Sequence, residues 1–294
     1  MKPHTSATLR RADGWPRVAL DAPPQAWQAA ARWYVKRAAR DLESTDNFLC
    51  LDYLHQRGFT DNTIVALGFG RAVSRVAFRS EDLGLPVNKS VRTGEPVPVL
   101  FPAGITIPVE VGGVLAAVKS RRTQADALVC GCGGRLTGPG RCVCGVVLPR
   151  YRNAPGGVHA LYPLGALRGH ATLVLIGDVL TAALLNQEAA GAELAIDCLS
   201  WSDEETASGP SPQQLAPYAN ALSHVQTLVA LRDDAVAIRT AEALMCHISA
   251  KLVEARLPDV PGAKAIPGWN TREIDLRAWL AGELARAADS GGDR

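Results

Sequence analysis

The sequence lacks any apolar run long enough to cross a membrane. A transmembrane helix needs about 20 consecutive apolar residues, and no stretch of these 294 residues approaches that length. Residues 1–20 lack the apolar core of a signal peptide, and the chain has no G-x-x-x-x-G-K-[ST] loop for nucleotide phosphates. We therefore expect a cytoplasmic protein without a membrane partner and without a fused P-loop motor.

Net charge is also small, but the charges are unevenly distributed. The formal net charge is +2, yet residues 1–170 hold 22 Lys and Arg against 12 Asp and Glu, whereas residues 171–294 hold 9 against 17. This asymmetry favours a basic half that faces a polyanion and an acidic half that holds metal ions. Chance segregation of surface charge is the alternative.

Four of the seven cysteines form two close pairs, Cys130 with Cys132 and Cys142 with Cys144. Two thiol pairs joined by a turn-rich loop can supply four thiolates to a tetrahedral structural Zn²⁺. The one-residue spacing within each pair is shorter than the usual two, and disulfides are the alternative, which a cytoplasmic location disfavours. The remaining cysteines are isolated in apolar stretches and are typical of core residues: Cys50, Cys198 and Cys246.

The sequence of the basic half predicts helices followed by strands. Helical spacing and capping signals predict helices over 23–40, 47–57 and 61–67. A hairpin over 104–120 turns at Gly112-Gly113, and residues 146–152 return as a strand. The cysteine loop therefore looks like an insertion at a hairpin tip.

Between positions 119 and 152 the chain is basic, with a single acid, Asp126, and an interleaved aromatic, Tyr151. Basic side chains with an aromatic among them suit a single-stranded backbone and its bases, and a solvated basic surface is the alternative. The basic residues are Lys119, Arg121, Arg122, Arg135, Arg141, Arg150 and Arg152.

The acidic half alternates strand and helix. An apolar run over 171–176 leads to Gly177-Asp178 and a helix over 179–190, and strands over 193–199 and 227–231 precede a helix over 235–253. This order predicts a mainly parallel sheet with acids at its carboxyl edge. A plainer interpretation is that Asp178 and Asp234 only cap helices.

Several segments resemble bacterial DnaG-type primases. Residues 47–70 resemble their YL-x-x-RG…T-I…G segment, Ile105–Pro108 resembles their ITIP strand, and Arg150–Pro155 resembles KYLNSP. Residues 173–184 (LVLIGDVLTAAL) are similar to LVLVEGEFDALAL of the TOPRIM domain, and residues 231–244 to its LDxDxAG metal segment. The motifs keep their order over roughly residues 24–285.

The resemblance implies an α/β fold, with a TOPRIM-type mainly parallel sheet flanked by helices and preceded by a helical and β-hairpin primase-like subdomain. We expect a flexible tail over 1–22, the basic subdomain over 23–170 with a zinc insertion over 125–148, the TOPRIM domain over 171–285 and a tail over 286–294. It also implies a nucleotidyltransferase of DNA replication that makes RNA primers on single-stranded DNA, with a mobile element as a candidate setting. Single-stranded DNA or RNA, ribonucleotides and a separate replicative helicase are the expected partners.

The resemblance also assigns site residues. Asp178, Asp233 and Asp234 are the catalytic candidates, and Asp178 and Asp234 are the candidate ligands of Mg²⁺ or Mn²⁺. Nucleic acid or nucleotide would bind Lys119, Arg121, Arg122, Arg150, Tyr151, Arg152 and Asn153.

The acidic site departs from the family pattern. Ile176 stands at the family's acid before the Gly, Arg232 at the first Asp of its Asp-x-Asp, and Leu180 at the Asp within EGEFDA. Two-metal phosphoryl transfer needs several carboxylates, so these changes favour a catalytically degenerate, nucleic-acid-binding descendant as the alternative to an active primase. A third hypothesis is an unrelated α/β protein whose Asp residues cap helices.

Overall fold

The computed structural model describes residues 18, 20–44, 48–122, 144, 151–202 and 209–255, together with 278, 279, 281–283 and 285. No helix among these residues is both long and apolar enough to span a membrane.

Three helices open the described chain. Helix α1 (Gln25–Leu42) buries a stripe that includes Trp27 and Tyr34, at the three- and four-residue spacing of one helix face. Helices α2 (Phe48–Gln56) and α3 (Asp61–Ala66) follow, and the Thr60 side chain caps α3 by accepting a hydrogen bond from the Thr63 N–H. These helices confirm the predicted ones.

A four-stranded antiparallel sheet forms the rest of the basic half. Its strands are β1 (Gly70–Ala72), β4 (Gly104–Val111), β5 (Val114–Arg121) and β6 (Tyr151–Asn153), in the order β1-β4-β5-β6. Gly112 and Gly113 make the predicted turn between β4 and β5, and both have positive φ. A separate ribbon pairs β2 (Val76–Phe78) with β3 (Val99–Phe101).

The acidic half is a five-stranded sheet in the order β11-β10-β8-β9-β7. Strands β8 (Thr172–Leu175), β9 (Ile196–Trp201), β10 (Thr227–Leu231) and β11 (Lys251–Ala255) pair in parallel, whereas β7 (Leu161–Tyr162) runs antiparallel to β9. Helices α4 (Val179–Gly191) and α6 (Ala235–Met245) follow β8 and β10, and the short α5 (Pro212–Leu215) precedes β10. The mainly parallel α/β sheet confirms the predicted fold class.

One predicted boundary is wrong. The helix expected over 235–253 ends at Met245, and Lys251–Ala255 is instead strand β11 beside β10. Exposed Glu254 lies between buried Val253 and Ala255, which is a strand pattern, and pairing with β10 decides the outcome.

The two halves share one apolar core. Leu54 of α2 and Ile107 of β4 belong to the same buried cluster as Leu175 of β8, Val179 of α4 and Leu228 of β10. The zinc insertion over 125–148 lies outside the described residues except for Cys144, so it stays a prediction.

Candidate functional site at the carboxyl edge of the parallel sheet

Asp178 lies where strand β8 ends and helix α4 begins. It is the N-cap residue of α4, and its Oδ2 accepts hydrogen bonds from the backbone N–H of Thr181, at 2.8 Å, and from the Thr181 hydroxyl. The Tyr151 hydroxyl donates to the other oxygen, Oδ1, at 2.7 Å. Arg57 Nη2 is 3.6 Å from Oδ2, which makes an ion pair between the two halves of the chain.

This ion pair is buried. The side chains of Arg57 and Asp178 are 9% and 14% exposed. Burial by itself raises the pKa of the Asp178 carboxyl, but the charge of Arg57 and the hydrogen bonds from Thr181 and Tyr151 outweigh it, so the pKa lies below its ordinary value. Burial by itself lowers the pKa of Arg57, but the charge of Asp178 together with Tyr53 and Tyr151 outweighs burial, so the pKa lies above its ordinary value. Both groups are therefore charged at neutral pH.

Two further cations and two tyrosine rings lie next to the Arg57–Asp178 pair. Lys119 lies over the Tyr151 ring, with Nζ 5.0 Å from its centroid, and the Arg121 guanidinium lies between the rings of Tyr53 and Tyr151, at 4.8 and 5.9 Å. The Tyr53 hydroxyl accepts a hydrogen bond from Arg57 Nη1 at 2.9 Å. We call these side chains the cation–tyrosine cluster: Tyr53, Arg57, Lys119, Arg121 and Tyr151, with Asp178 as their buried carboxylate.

The cluster decides how accessible several predicted binding residues are. Lys119 is fully buried, Tyr151 is 2% exposed and Arg121 is 8% exposed. Cation–π contacts and buried hydrogen bonds fix these side chains in place. A base cannot stack on Tyr151 in this arrangement, because Lys119, Arg121 and Asp178 already occupy its surroundings.

The second acid, Asp234, occupies the corresponding position after β10. It is the N-cap residue of α6, accepting from the Ala237 N–H at 3.0 Å, and it also accepts from the Gly177 N–H. A Cβ at Gly177 would lie 2.5 Å from Asp234 Oδ1, so this close approach requires glycine. Asp234 thus links the ends of β8 and β10.

The positions where the family has acids now carry other interactions. Ile176 is buried in an apolar cluster, and its N–H donates to Leu199 O, so it prolongs strand β8. Arg232 is exposed, and its Nε lies 3.3 Å from Glu254 Oε2 on strand β11. Asp233 is exposed beside it.

This donor set does not fit a two-metal centre. Within the described part of the chain, no three His, Cys, Asp or Glu side chains are grouped closely enough to hold a metal ion. Two-metal chemistry needs carboxylates directed at the cations, whereas those of Asp178 and Asp234 accept protein hydrogen bonds. Binding of Mg²⁺ or Mn²⁺ here stays a prediction.

Adjacent residues of β6 point to opposite sides of the sheet. In the β5–β6 register Arg121 pairs with Tyr151 and Ser120 with Arg152, and paired residues share a face. Arg152 is therefore on the side opposite the cation–tyrosine cluster. The predicted binding residues of β5 and β6 therefore lie on both sides of the sheet, because side chains alternate along a strand.

Some of the remaining predicted site residues lie outside the part of the chain that the structure describes. Arg122 and Asn153 are half-buried at the ends of β5 and β6. Cys144 is exposed. Arg150, Cys130, Cys132 and Cys142 lie outside the described residues, so the structural Zn²⁺ stays a prediction.

The sequence-based site missed Arg57, Tyr53 and Thr181. Arg57 was available as the Arg of the YL-x-x-RG motif, and Tyr53 precedes it by one helical turn on α2. Nothing in the local sequence indicates that Arg57 contacts a residue more than 120 positions away, as it does at Thr181.

Comparison with known proteins shows the fold. No protein-family model matches the chain, and no curated protein matches it. Solved structures do: a DnaG primase catalytic domain bound to single-stranded DNA aligns at 12% identity and a TM-score of 0.58, covering 89% of this chain and 78% of that one. The E. coli primase catalytic core aligns at 14% and 0.57, covering 89% and 79%.

A third structure, the RNA polymerase domain of Mycobacterium tuberculosis DnaG primase, aligns at 16% identity and a TM-score of 0.57, covering 88% of this chain and 82% of that one. The chain therefore has the fold of a DnaG primase catalytic core, in a form that has diverged far in sequence.

Proposed function

We propose that this protein is a primase-like component of DNA replication that binds single-stranded nucleic acid, and that its acidic edge serves structure instead of two-metal catalysis. The observation that carries the proposal is the buried Arg57–Asp178 pair, with Tyr151 and Thr181 as further donors. The pair makes the acid that caps helix α4 the counter-ion of a cationic cluster.

Charge in the cation–tyrosine cluster favours a polyanion nearby. The cluster contains Arg57, Lys119 and Arg121 but a single carboxylate, Asp178. Its excess positive charge raises the local potential where the two halves meet, and single-stranded nucleic acid is the polyanion that fits a primase fold. The likeness to a primase domain bound to single-stranded DNA supports the same ligand.

Primer synthesis is the second candidate. The fold likeness to catalytic cores extends over nearly nine-tenths of the chain, and Asp233 is exposed at the sheet edge. In that case Asp233 and Asp234 would recruit one Mg²⁺ or Mn²⁺, with ribonucleotide phosphates supplying further oxygens, since Mg²⁺ uses few protein carboxylates. Ribonucleotides, a replicative helicase and a mobile-element setting belong to this candidate.

A charge-removal experiment tests the structural role of Asp178. Removing a negative charge ordinarily strengthens polyanion binding. We expect the opposite for Asp178→Asn: weaker binding of a fluorescent dT20 strand in EDTA, by about tenfold, because Arg57 and Tyr151 lose the anchor that orders the cluster. Anisotropy titrations are run at a temperature where circular dichroism shows both proteins folded.

Asp233→Asn is the matched control, because it removes the same charge from an exposed position at the same edge. We expect it to bind dT20 as tightly as the parent or more tightly. If Asp178→Asn behaves like Asp233→Asn, Asp178 has no positioning role. Template-dependent primer synthesis by the parent with Mn²⁺, abolished in Asp234→Ala, would establish the second candidate.

A further inference from the structure

A groove lies beside β6, an edge strand of the four-stranded sheet. It has a volume of about 220 Å³ and runs between the β2–β3 ribbon and β6, the last strand in the sheet order. Arg152, Asn153 and Pro155 belong to the Arg150–Pro155 motif, whereas no motif in the sequence indicates Arg75, Leu100 or Pro102. Its lining residues are Arg75, Leu100, Pro102, Arg152, Asn153 and Pro155.

The groove combines two cations with an apolar wall. Arg75 is exposed and Arg152 is half-buried, so both guanidinium groups are available to an anion. Leu100 is 40% exposed although it is a large apolar side chain. Two guanidinium groups beside an apolar wall are the complement of a phosphate and a base face.

The wall is held in place by buried donors. The Pro102 carbonyl accepts hydrogen bonds from the Tyr34 hydroxyl and, at 2.9 Å, from the Ser120 hydroxyl. The Pro155 carbonyl accepts from Trp27 Nε1 at 2.7 Å. Trp27, Tyr34 and Ser120 are almost fully buried, so both prolines are fixed before any ligand arrives, which lowers the entropic cost of binding.

We propose that this groove binds one nucleotide of a single strand, with Arg75 and Arg152 on its phosphate and Leu100, Pro102 and Pro155 against its base. The inference rests on the proposed function, since it specifies where the strand is held. A duplex has its base faces stacked inside, so the apolar wall selects a single strand.

The test uses three labelled ten-residue probes: dT10, rU10 and a strand of ten abasic sites with the same phosphates. Arg75→Ala removes one phosphate contact, so the slope of log K against log salt should fall in magnitude by about 0.7 for dT10 and for the abasic strand. Leu100→Ala removes base contact alone. It should weaken dT10 by about threefold and leave the abasic strand unchanged.

Arg92→Ala is the control, because Arg92 is also exposed and its loss removes the same charge without touching the groove. If the variants at Arg75 and Leu100 behave like Arg92→Ala while the parent binds dT10 or rU10, the groove is not the site and the proposed function stands. If the parent binds neither strand, both are overturned. If the variants at Arg75 and Leu100 weaken the binding of dT10 and rU10 equally, the groove does not distinguish DNA from RNA. If they weaken the binding of only one of these probes, that probe is the kind of strand that the groove holds.

Discussion

Asp178 and Asp234 end two neighbouring strands of one sheet, and each caps the helix that follows, yet the two acids have different surroundings. Among the described residues, the Asp234 carboxylate accepts from the backbone N–H groups of Gly177 and Ala237, and so joins parts of the same sheet. Asp178 receives Arg57 and Tyr151 from the basic half. The same strand–turn–helix unit therefore supplies a local cap in one case and an anchor between halves in the other.

The comparison predicts its largest effect at Asp178. Asp178→Ala leaves Arg57 buried without its counter-ion, and breaking a buried pair costs about 3–5 kcal/mol. Asp234→Ala loses a cap, which costs about 1 kcal/mol. Urea denaturation of both variants measures the difference. Equal losses of unfolding free energy would mean that the Arg57–Asp178 pair adds nothing beyond helix capping.

A glycine substitution examines the link made by Asp234. Gly177→Ala places a Cβ 2.5 Å from Asp234 Oδ1, so the carboxylate must move from its cap position, and we expect a loss of about 1–3 kcal/mol. Gly165→Ala is the control, because a Cβ there meets nothing within 4 Å. It should change the unfolding free energy by less than about 0.5 kcal/mol. A silent Gly177→Ala would show that the close approach is not needed.

The smallest effect is a pH dependence at Asp178. Because its folded-state pKa is lowered, the carboxylate stabilises the fold fully above its ordinary pKa of 3.8, and this contribution is lost as the pH falls through the lower folded-state value. The stability difference between the parent and Asp178→Asn should therefore shrink below about pH 4, by at most about 1.4 kcal/mol per pH unit. Urea titrations between pH 3 and pH 6 measure it, and a constant difference would contradict the lowered pKa.

More of the fold than of the candidate site could be predicted from the sequence. The order of motifs and the strand–helix alternation gave the parallel sheet, and the Gly112-Gly113 turn gave the hairpin. Helix α6 was extended too far because the apolar residues near Ile248 fit a helix as well as a loop before a strand. Tertiary pairing with β10 resolves that ambiguity.

Part of the candidate site can be predicted from local sequence pattern, and part of it cannot. Strand alternation alone places Tyr151 and Arg152 on opposite faces of the sheet, so this part of the arrangement follows from the sequence. The partners of Asp178 were not accessible in the same way. An Asp after a buried strand looks the same in sequence whether it binds a metal ion or an arginine. Only the folded chain brings Arg57, which follows α2, to the first turn of α4.

The Arg57 contact has a kinetic consequence. Arg57 and Thr181 are separated by 124 positions, so their contact closes a long loop and requires both halves to be largely assembled. We expect the Arg57 contact to form late, after the main barrier of folding. Weakening them should speed unfolding while leaving refolding nearly unchanged. The Arg57–Asp178 pair would then lengthen the lifetime of the native state and have little effect on the rate at which that state forms.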